Sequence, residues 1–355
     1  MNKYRVEIID SFSDKLQSDW LNFEKKSCHY IFQSYEWQKL WLDTQLKYGN
    51  RILNYTILVF EKNELVMLLP FNIKNFYSIN ILNWSGFPFS DYNAPLLAKN
   101  KILEEEDFKL IWKNILNKIK KVDCIVFDNQ PEKIFEKKNP FYHFLNNKIN
   151  NEYNGIKLNN DFQIKKYELG NIKYQINRLK KFGKLEFKIA KESKKKKKIL
   201  DFIVQHKTKQ YINTKVWNLF KQKFNKEFFI LSNLIMSKKS YITYLEINNE
   251  IIAAHSGYVY QNVCYYLFPV YNLEYQKYSP GKILLKYIIE DSKINTLSYF
   301  DLTIGSESYK KNFFNNKFLA SIYFKSLNFK GFIYIFVLKI KFKIKIILKK
   351  FEKNK

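Results

Sequence analysis

Residues Tyr271 to Lys310 read YNLEYQKYSPGKILLKYIIEDSKINTLSYFDLTIGSESYK, and their reading decides the fold. An apolar strand, Tyr265–Val270, ends just before them. The turn Ser279-Pro280-Gly281 then opens an apolar helix over Lys282–Asp291. A second strand follows at Leu297–Leu302, and a short acidic segment delivers Tyr309 and Lys310. Strand, tight turn, helix, strand and polar cluster form the layout of a nucleotide or coenzyme half-site. Gln276-Lys277-Tyr278-Ser279-Pro280-Gly281 has the form Q-x-x-S-x-G. A small residue at such a turn lets backbone N–H groups approach an anion, and the helix N-terminus adds about half a positive charge. Lys277 and Lys282 add full charges, and a pyrophosphate fits them.

Working outward, Ser240–Ile247, Ile251–Tyr260 and Asn262–Val270 form a three-stranded meander with polar turns. His255 lies in its middle strand, a position that suits a satisfied core residue or the wall of a substrate cleft. Further upstream, Tyr174–Gly183 predicts a short basic helix stopped by Gly183, followed by a strand at Leu185–Ala190. Glu192–Gln210 reads as a helix with a solvated lysine face. The polar passage Glu132–Asp161 marks a domain boundary.

In the first half, Ser11 or Ser13 caps a helix carrying Leu16, Trp20, Leu21 and Phe23 at helical spacing. Ser34 caps a second, with Trp37 and Trp41 on one core-facing side. Leu53–Glu61 and Glu64–Ile73 predict a hairpin turning at Lys62-Asn63, with Pro70 demoting the end of its second strand. The Ser85–Pro95 loop contains Asp91 and Tyr92 and suits either the closure of a site or packing on a neighbour, with a rigid edge capped by Asp91 as the competing reading. Glu105–Lys120 is an amphipathic helix with acids first and lysines last.

At 355 residues, two domains are expected. The formal charge of +28 rests on lysine, with Arg5, Arg51 and Arg178 as the sole arginines. An AT-rich genome writing lysine at solvated positions is one reading of it, and a real attraction for anions such as a phosphorylated coenzyme, an acidic membrane or nucleic acid is the other. Nucleic-acid readout would draw more on arginine. Cys28, Cys124 and Cys264 lie far apart with no metal spacing, and no apolar leader opens the chain; both fit a reducing cytoplasm. No apolar run is long enough to span a bilayer. The tail, Phe332–Phe351, alternates apolar residues with lysine. Periodicity favours a strand, while a basic amphipathic helix would lie on an anionic membrane surface.

The order meander, Q-x-x-S-x-G turn, helix, strand resembles the acyl-CoA core of GNAT N-acyltransferases, whose motif is Q/R-x-x-G-x-G/A; Ser279 replaces the first glycine. Tyr271, the Tyr278–Gly281 turn and Phe300-Asp301-Leu302-Thr303-x-Gly305-x-Glu307-x-Tyr309-Lys310 resemble more specifically the CelD-like acetyltransferases associated with polysaccharide biosynthesis. These are related to the Fem-type aminoacyl transferases. Phe32-Gln33-Ser34-x-Glu36-Trp37, the Gly86…Tyr92 loop and Ile176-Asn177-Arg178-Leu179…Gly183 extend the likeness to about residues 30–325.

The resemblance implies an α/β (α+β) fold of two tandem GNAT-like lobes, each a mixed, mostly antiparallel sheet flanked by helices. The lobes would span 1–160 and 161–330, with a basic tail over 331–355. It implies acetyl-CoA or another acyl-CoA as co-substrate, no metal, and direct transfer to an amino sugar or related envelope precursor. Phe268 and Val270 would hold the pantetheine arm, and Gln276, Ser279, Gly281 and Lys282 the pyrophosphate. Tyr309 would act as the acid, with Asp301 and Glu307 as further catalytic candidates that orient the acceptor or relay its proton. Lys310, His255, Arg178, Asp91 and Tyr92 would bind it. Packing against Phe313 and Phe314 is the competing reading of Tyr309, and a cap that of Asp301. Two alternatives stand beside this function: a Fem-type transferase taking aminoacyl groups from tRNA, and a non-catalytic polysaccharide-assembly protein retaining the fold.

Overall fold

The computed structural model describes residues 3–146, 148–159, 162–305 and 308–353. The fold is mixed α/β, with mostly antiparallel sheet flanked by helices. The chain divides into two compact units, Met1–Asn151 with Leu319–Lys355, and Glu152–Phe318.

The first unit begins with β1 (Tyr4–Ile9), α1 (Asp14–Lys26) and the short β2 (Ser27–Cys28). Ser13 caps α1 by accepting from the Leu16 N–H. α2 (Tyr35–Lys47) starts at Ser34, whose hydroxyl accepts from the Trp37 N–H. Both caps satisfy donors that the first helical turn leaves orphaned. Trp20, Trp37 and Trp41 are buried, as their helical spacing requires. β3 (Ile52–Glu61) and β4 (Glu64–Phe76) form the expected hairpin, followed by β5 (Ile79–Trp84) and β6 (Leu96–Ala98). α3 (Glu105–Lys118) crosses to β7 (Cys124–Pro131). A small hairpin, β8 (Lys133–Ile134) with β9 (Lys137–Lys138), and the one-turn α4 (Pro140–His143) close this run.

Pro70 does not end its strand. β4 continues through it, because Pro70 lies where the strand exchanges one neighbour for another. Met67 and Leu68 pair with β6, whereas Phe71 onward pairs with β5. The N–H that proline lacks is not required at that junction.

The second unit opens with β10 (Lys148–Lys157) and α5 (Lys166–Leu179). α5 begins two turns earlier than the predicted basic helix, and a 3-10 turn, Lys180–Phe182, carries the chain on to Gly183, whose φ of 148° suits glycine alone. β11 (Leu185–Ile189), α6 (Ser193–Asn213) and α7 (Lys223–Ile235) precede the meander of β12 (Ser240–Ile247), β13 (Glu250–Tyr260) and β14 (Val263–Tyr271). α8 (Pro280–Ile294) then leads to β15 (Tyr299–Ile304). The chain finishes with β16 (Asn316–Ser326) and α9 (Phe329–Lys353).

The two units share one topology. In the first, the sheet order is β1-β3-β4-β5-β7-β16, with β6 bridging β2 and β4; in the second it is β11-β12-β13-β14-β15-β10. Each runs antiparallel through four strands and crosses by a helix to a parallel fifth, β5 to β7 or β14 to β15. Each adds an antiparallel sixth strand out of sequence order: β16 beside β7, and β10 beside β15.

The second unit's core lies between its sheet and the helices α5 and α8. Ile283, Leu284, Leu285, Ile288 and Ile289 of α8 are enclosed there with Leu245, Cys264, Tyr266, Phe300 and Leu302. Each such aliphatic side chain contributes about 1.5–3 kcal/mol by leaving water. This packing fixes the N-terminus of α8 relative to β14 and β15.

The tail is a helix, α9, and the strand expected from its alternation is not formed. A lone strand of this composition would need a sheet edge, whereas the helix buries Ile335 against Ile81 and Cys124. Tertiary packing overrides the period-two pattern.

Candidate active site

The site grows from the parallel pair β14–β15. Their ladder comprises Val263 with Tyr299, Cys264 with Phe300 and Tyr265 with Asp301. Beyond those residues the strands carry no ladder pairs with each other, although both continue, to Tyr271 and Ile304. On the other side of β14, the register with β13 shifts between Ser256 and Tyr258, where Phe268 and Tyr265 are the partners. Two residues, Tyr266 and Leu267, therefore oppose the single Gly257. Such a bulge re-aims the backbone of its strand. Gly257 has no room for a side chain: a Cβ would lie 2.0 Å from the Tyr265 carbonyl oxygen and 2.7 Å from His255 Nε2.

The C-terminal end of β15 is bent away by local chemistry. Asp301 is buried, and its Oδ1 accepts from the Thr303 N–H at 2.7 Å. Thr303 takes a φ of 56°, and Gly305 follows at 139°. Lys310 is also buried, and its ammonium donates to the carbonyls of Leu302 at 2.9 Å and Ile304 at 3.2 Å. Asp301 and Lys310 thus both hold the strand end in its turned-out path. Tyr309 is half-buried on the 3-10 turn Ser308–Asn312 and packs, like Phe314, against the core that contains Phe313. Glu307 lies outside the described residues.

β14 leads through the 3-10 turn Leu273–Tyr278 into α8. Ser279 sits at the helix N-cap with φ 53° and ψ 47°, the left-handed region that glycine enters at least cost. Serine occupies the backbone conformation for which the glycine of the related motif is suited. The Ser279 side chain makes no capping bond to α8, and Pro280 contributes no N–H. Among the described residues the positive end of the helix thus has no side-chain cap.

In front of it lies a cavity of about 150 Å³ lined by Glu168, Asn171, Ile172 and Gln175 from α5 and by Ser279, Lys282 and Ile283 from α8. Lys282 Nζ is 2.8 Å from Glu168 Oε1, and the other carboxylate oxygen accepts from Asn312 Nδ2 at 2.7 Å. Arg178 donates to Gln175 Oε1 at 3.0 Å, and its guanidinium stands 4.7 Å from the centre of the Tyr278 ring. Tyr271 supports the turn from below, 3.3 Å from where a Gly281 Cβ would be. Gln276 is exposed, and its carbonyl accepts from the Ser279 N–H. Lys282 and its counter-charge Glu168 line the recess, while Arg178 and the exposed Lys277 stand against the neighbouring Tyr278 ring.

Ser279, Gly281, Lys282 and Arg178 are thus brought together, and Phe268, Val270, Asp301, Tyr309 and Lys310 flank the diverging strand ends. Phe268 is half-exposed and packs against Phe220 and Phe229, while Val270 is buried. Asp91 and Tyr92 belong to the first unit. Tyr92 is fully buried, stacked on Tyr30 at 4.6 Å, and its carbonyl accepts from Gln33 Nε2, so its ring packs the loop. Glu168 and Gln175 were missed in the sequence. They share one face of α5 with Asn171 and Ile172, at intervals of three and four residues, and that spacing is the signal that could have found them.

His255 lines no open cleft. It is fully enclosed, its Nδ1 lies 3.3 Å from Thr243 Oγ1, and its ring stacks on Tyr266 at 4.6 Å. Its Nε2 has no hydrogen-bond partner among the described residues. Burial pushes its pKa from 6.5 down to about 3. The unfolded chain therefore takes up a proton below pH 6.5 that the folded chain refuses. The contribution is whole above the unfolded value and is lost as pH falls toward the folded one. Between pH 7 and pH 5 this residue is expected to cost about 2 kcal/mol of stability. Denaturant unfolding at both pH values should show a smaller loss for His255→Gln than for the wild type. Equal losses would exclude His255 as the source.

Among known families, residues 168–311 match the GNAT acetyltransferase domain. No curated protein matches the chain. Among solved structures, that of FemX has a TM-score of 0.60 at 9% identity, covering 89% of this chain and 97% of its own. A conserved protein of unknown function from Bacteroides thetaiotaomicron gives 0.55 at 9% identity, covering 90% and 99%. L-PGS from Bacillus licheniformis gives 0.54 at 12% identity, covering 93% and 97%. At these identities the likeness establishes the fold. The family match is confined to residues 168–311, within the second unit.

Proposed function

We propose that this protein is an acyl-CoA-dependent N-acyltransferase, with acetyl-CoA as the simplest donor and an amino sugar or related envelope precursor as acceptor. The observation that carries this reading is the parallel pair β14–β15 diverging beside the uncapped N-terminus of α8. The diphosphate of the donor is assigned to the recess at Ser279, Gly281 and Lys282, with Arg178 and Gln276 at its rim. The pantetheine arm would run along β14 from Val270 toward Phe268, where strand amides left without a β15 partner can meet it. A reducing compartment such as the cytoplasm fits the three free cysteines.

In the proposed reaction the acceptor amine, freed of a proton, attacks the thioester carbonyl. The C–N bond forms, the C–S bond breaks, and the leaving thiolate takes a proton. Tyr309 is assigned as the donor of that proton, since a phenol O–H can donate to a departing thiolate. Asp301 and Lys310 are assigned as positioning residues that keep the strand ends apart. Glu307 is retained as a candidate for orienting the acceptor.

Release of free thiol from acetyl-CoA with a panel of amino sugars tests the reading. Tyr309→Phe is expected to lower kcat by roughly 10²-fold with little change in KM for the donor. An unchanged kcat would remove Tyr309 from the chemistry. Salt-sensitive binding of tRNA without any response to acetyl-CoA would instead favour aminoacyl transfer. Response to neither would favour the assembly role.

A further inference from the structure

α9 has one face seated and one face bare. Its first turn is tied down: Asn328 Oδ1 accepts from the Gly331 N–H at 3.0 Å, while Asn328 Nδ2 donates to Asp123 Oδ1 at 2.6 Å. Gly331 lies so close to the start of β7 that a Cβ there would be 1.9 Å from the Asp123 carbonyl oxygen. One turn on, Ile335 is 5% exposed against Ile81 and Cys124. The helix is thereby fixed in rotation.

The opposite face carries Phe329, Phe332, Ile333, Phe336, Val337, Ile340 and Ile344, all exposed, with Phe329 at 75%. Their spacing of three and four residues places them in one continuous stripe. Lys330 and Lys341 border it on one side and Lys339 on the other, and all three are exposed. The whole helix holds eight lysines and a single acid, Glu352. Beside its first turns, Tyr334 touches Phe76, and Phe76 touches the 85%-exposed Tyr77 on the β4–β5 turn. Among the described residues no helix is long and apolar enough to cross a membrane.

We infer that this face docks in the plane of an anionic lipid bilayer. The apolar stripe would enter the boundary between headgroups and acyl chains, and the bordering lysines would meet lipid phosphates. Tyr77 suits the interfacial layer, where amphipathic rings concentrate, and Phe76 beside it adds apolar surface. Charge selects the occupant. A second copy of the chain would set lysine against lysine along both borders, whereas an acidic lipid surface complements them. The inference concerns the first unit and is independent of the donor site assigned to the second.

The test is co-sedimentation of the full chain with phosphatidylglycerol/phosphatidylcholine vesicles and with pure phosphatidylcholine vesicles. Binding to the anionic vesicles is expected to weaken with added salt. It should fall at least about 10-fold in Lys339→Glu/Lys341→Glu, since each lysine at the surface contributes several-fold. Phe332→Ser/Phe336→Ser should lose binding while keeping the wild-type melting temperature, because both side chains are already exposed. Three results would overturn the inference: no binding to anionic vesicles, equal binding to neutral ones, or a dimer in solution that Phe332→Ser/Phe336→Ser dissociates without any vesicle binding.

Discussion

Gly281→Glu is expected to abolish acyl-CoA binding while leaving the fold intact. The substitution puts a carboxylate in the first turn of α8, where the N-cap Ser279 side chain makes no capping bond. The helix field favours an acid at that position, so the apo protein should be as stable as the wild type or slightly more so. The same acid would occupy the place assigned to the donor's diphosphate and repel it. Like charges brought together cost several kcal/mol, so a loss of affinity on the order of 100-fold or more follows. Tyr271, 3.3 Å from the new Cβ, has to give by only a few tenths of an ångström. Calorimetric titration with acetyl-CoA, paired with a melting curve of the apo variant, checks both halves. Unimpaired binding would remove the α8 terminus from the donor site.

The second large effect is on stability. Gly257→Ala should destabilise the protein by at least about 3 kcal/mol. The added methyl would lie 2.0 Å from a backbone oxygen, that of Tyr265, and no rotamer change can relieve the clash. Strand β13 or β14 would have to move, and the bulge that re-aims β14 would be lost with it. Gly170→Ala provides the contrast. Gly170 lies within α5 with open space around it, so alanine there should stabilise by about 0.5–1 kcal/mol. Midpoints of urea unfolding for the two variants should therefore move in opposite directions. A Gly257→Ala midpoint within error of the wild type would contradict the close approach at the bulge.

Much of the second unit was legible in its residues. The meander, the turn at Ser279 and the helix after it follow from alternation, polar turns and the Ser-Pro-Gly sequence, and the observed elements differ by only a residue or a few at their ends. The start of α5 was harder to read because Gly170 and Asn171 lower local helix propensity. Its first turns are held by packing of Ile172 in the core, and this concealed Glu168, the counter-charge of Lys282. Burial could not be read for Lys310, which resembles a solvated lysine in a lysine-rich chain and instead binds two carbonyls inside the fold. The out-of-order sixth strands were not legible either, since pairing over such separations leaves no local pattern. In α9, alternation pointed to a strand, whereas contacts of Ile335 and Gly331 with the first unit's sheet fix a helix.

The central claim is that the recess between α5 and α8 receives the diphosphate of an acyl-CoA. Its most direct measurement is the melting temperature of the full chain titrated with acetyl-CoA. A saturable rise is predicted for the wild type, corresponding to about 2.7 kcal/mol at a hundredfold excess over Kd, together with no rise in Gly281→Glu. A wild-type melting temperature unmoved by acetyl-CoA, or an equal rise in Gly281→Glu, would contradict it.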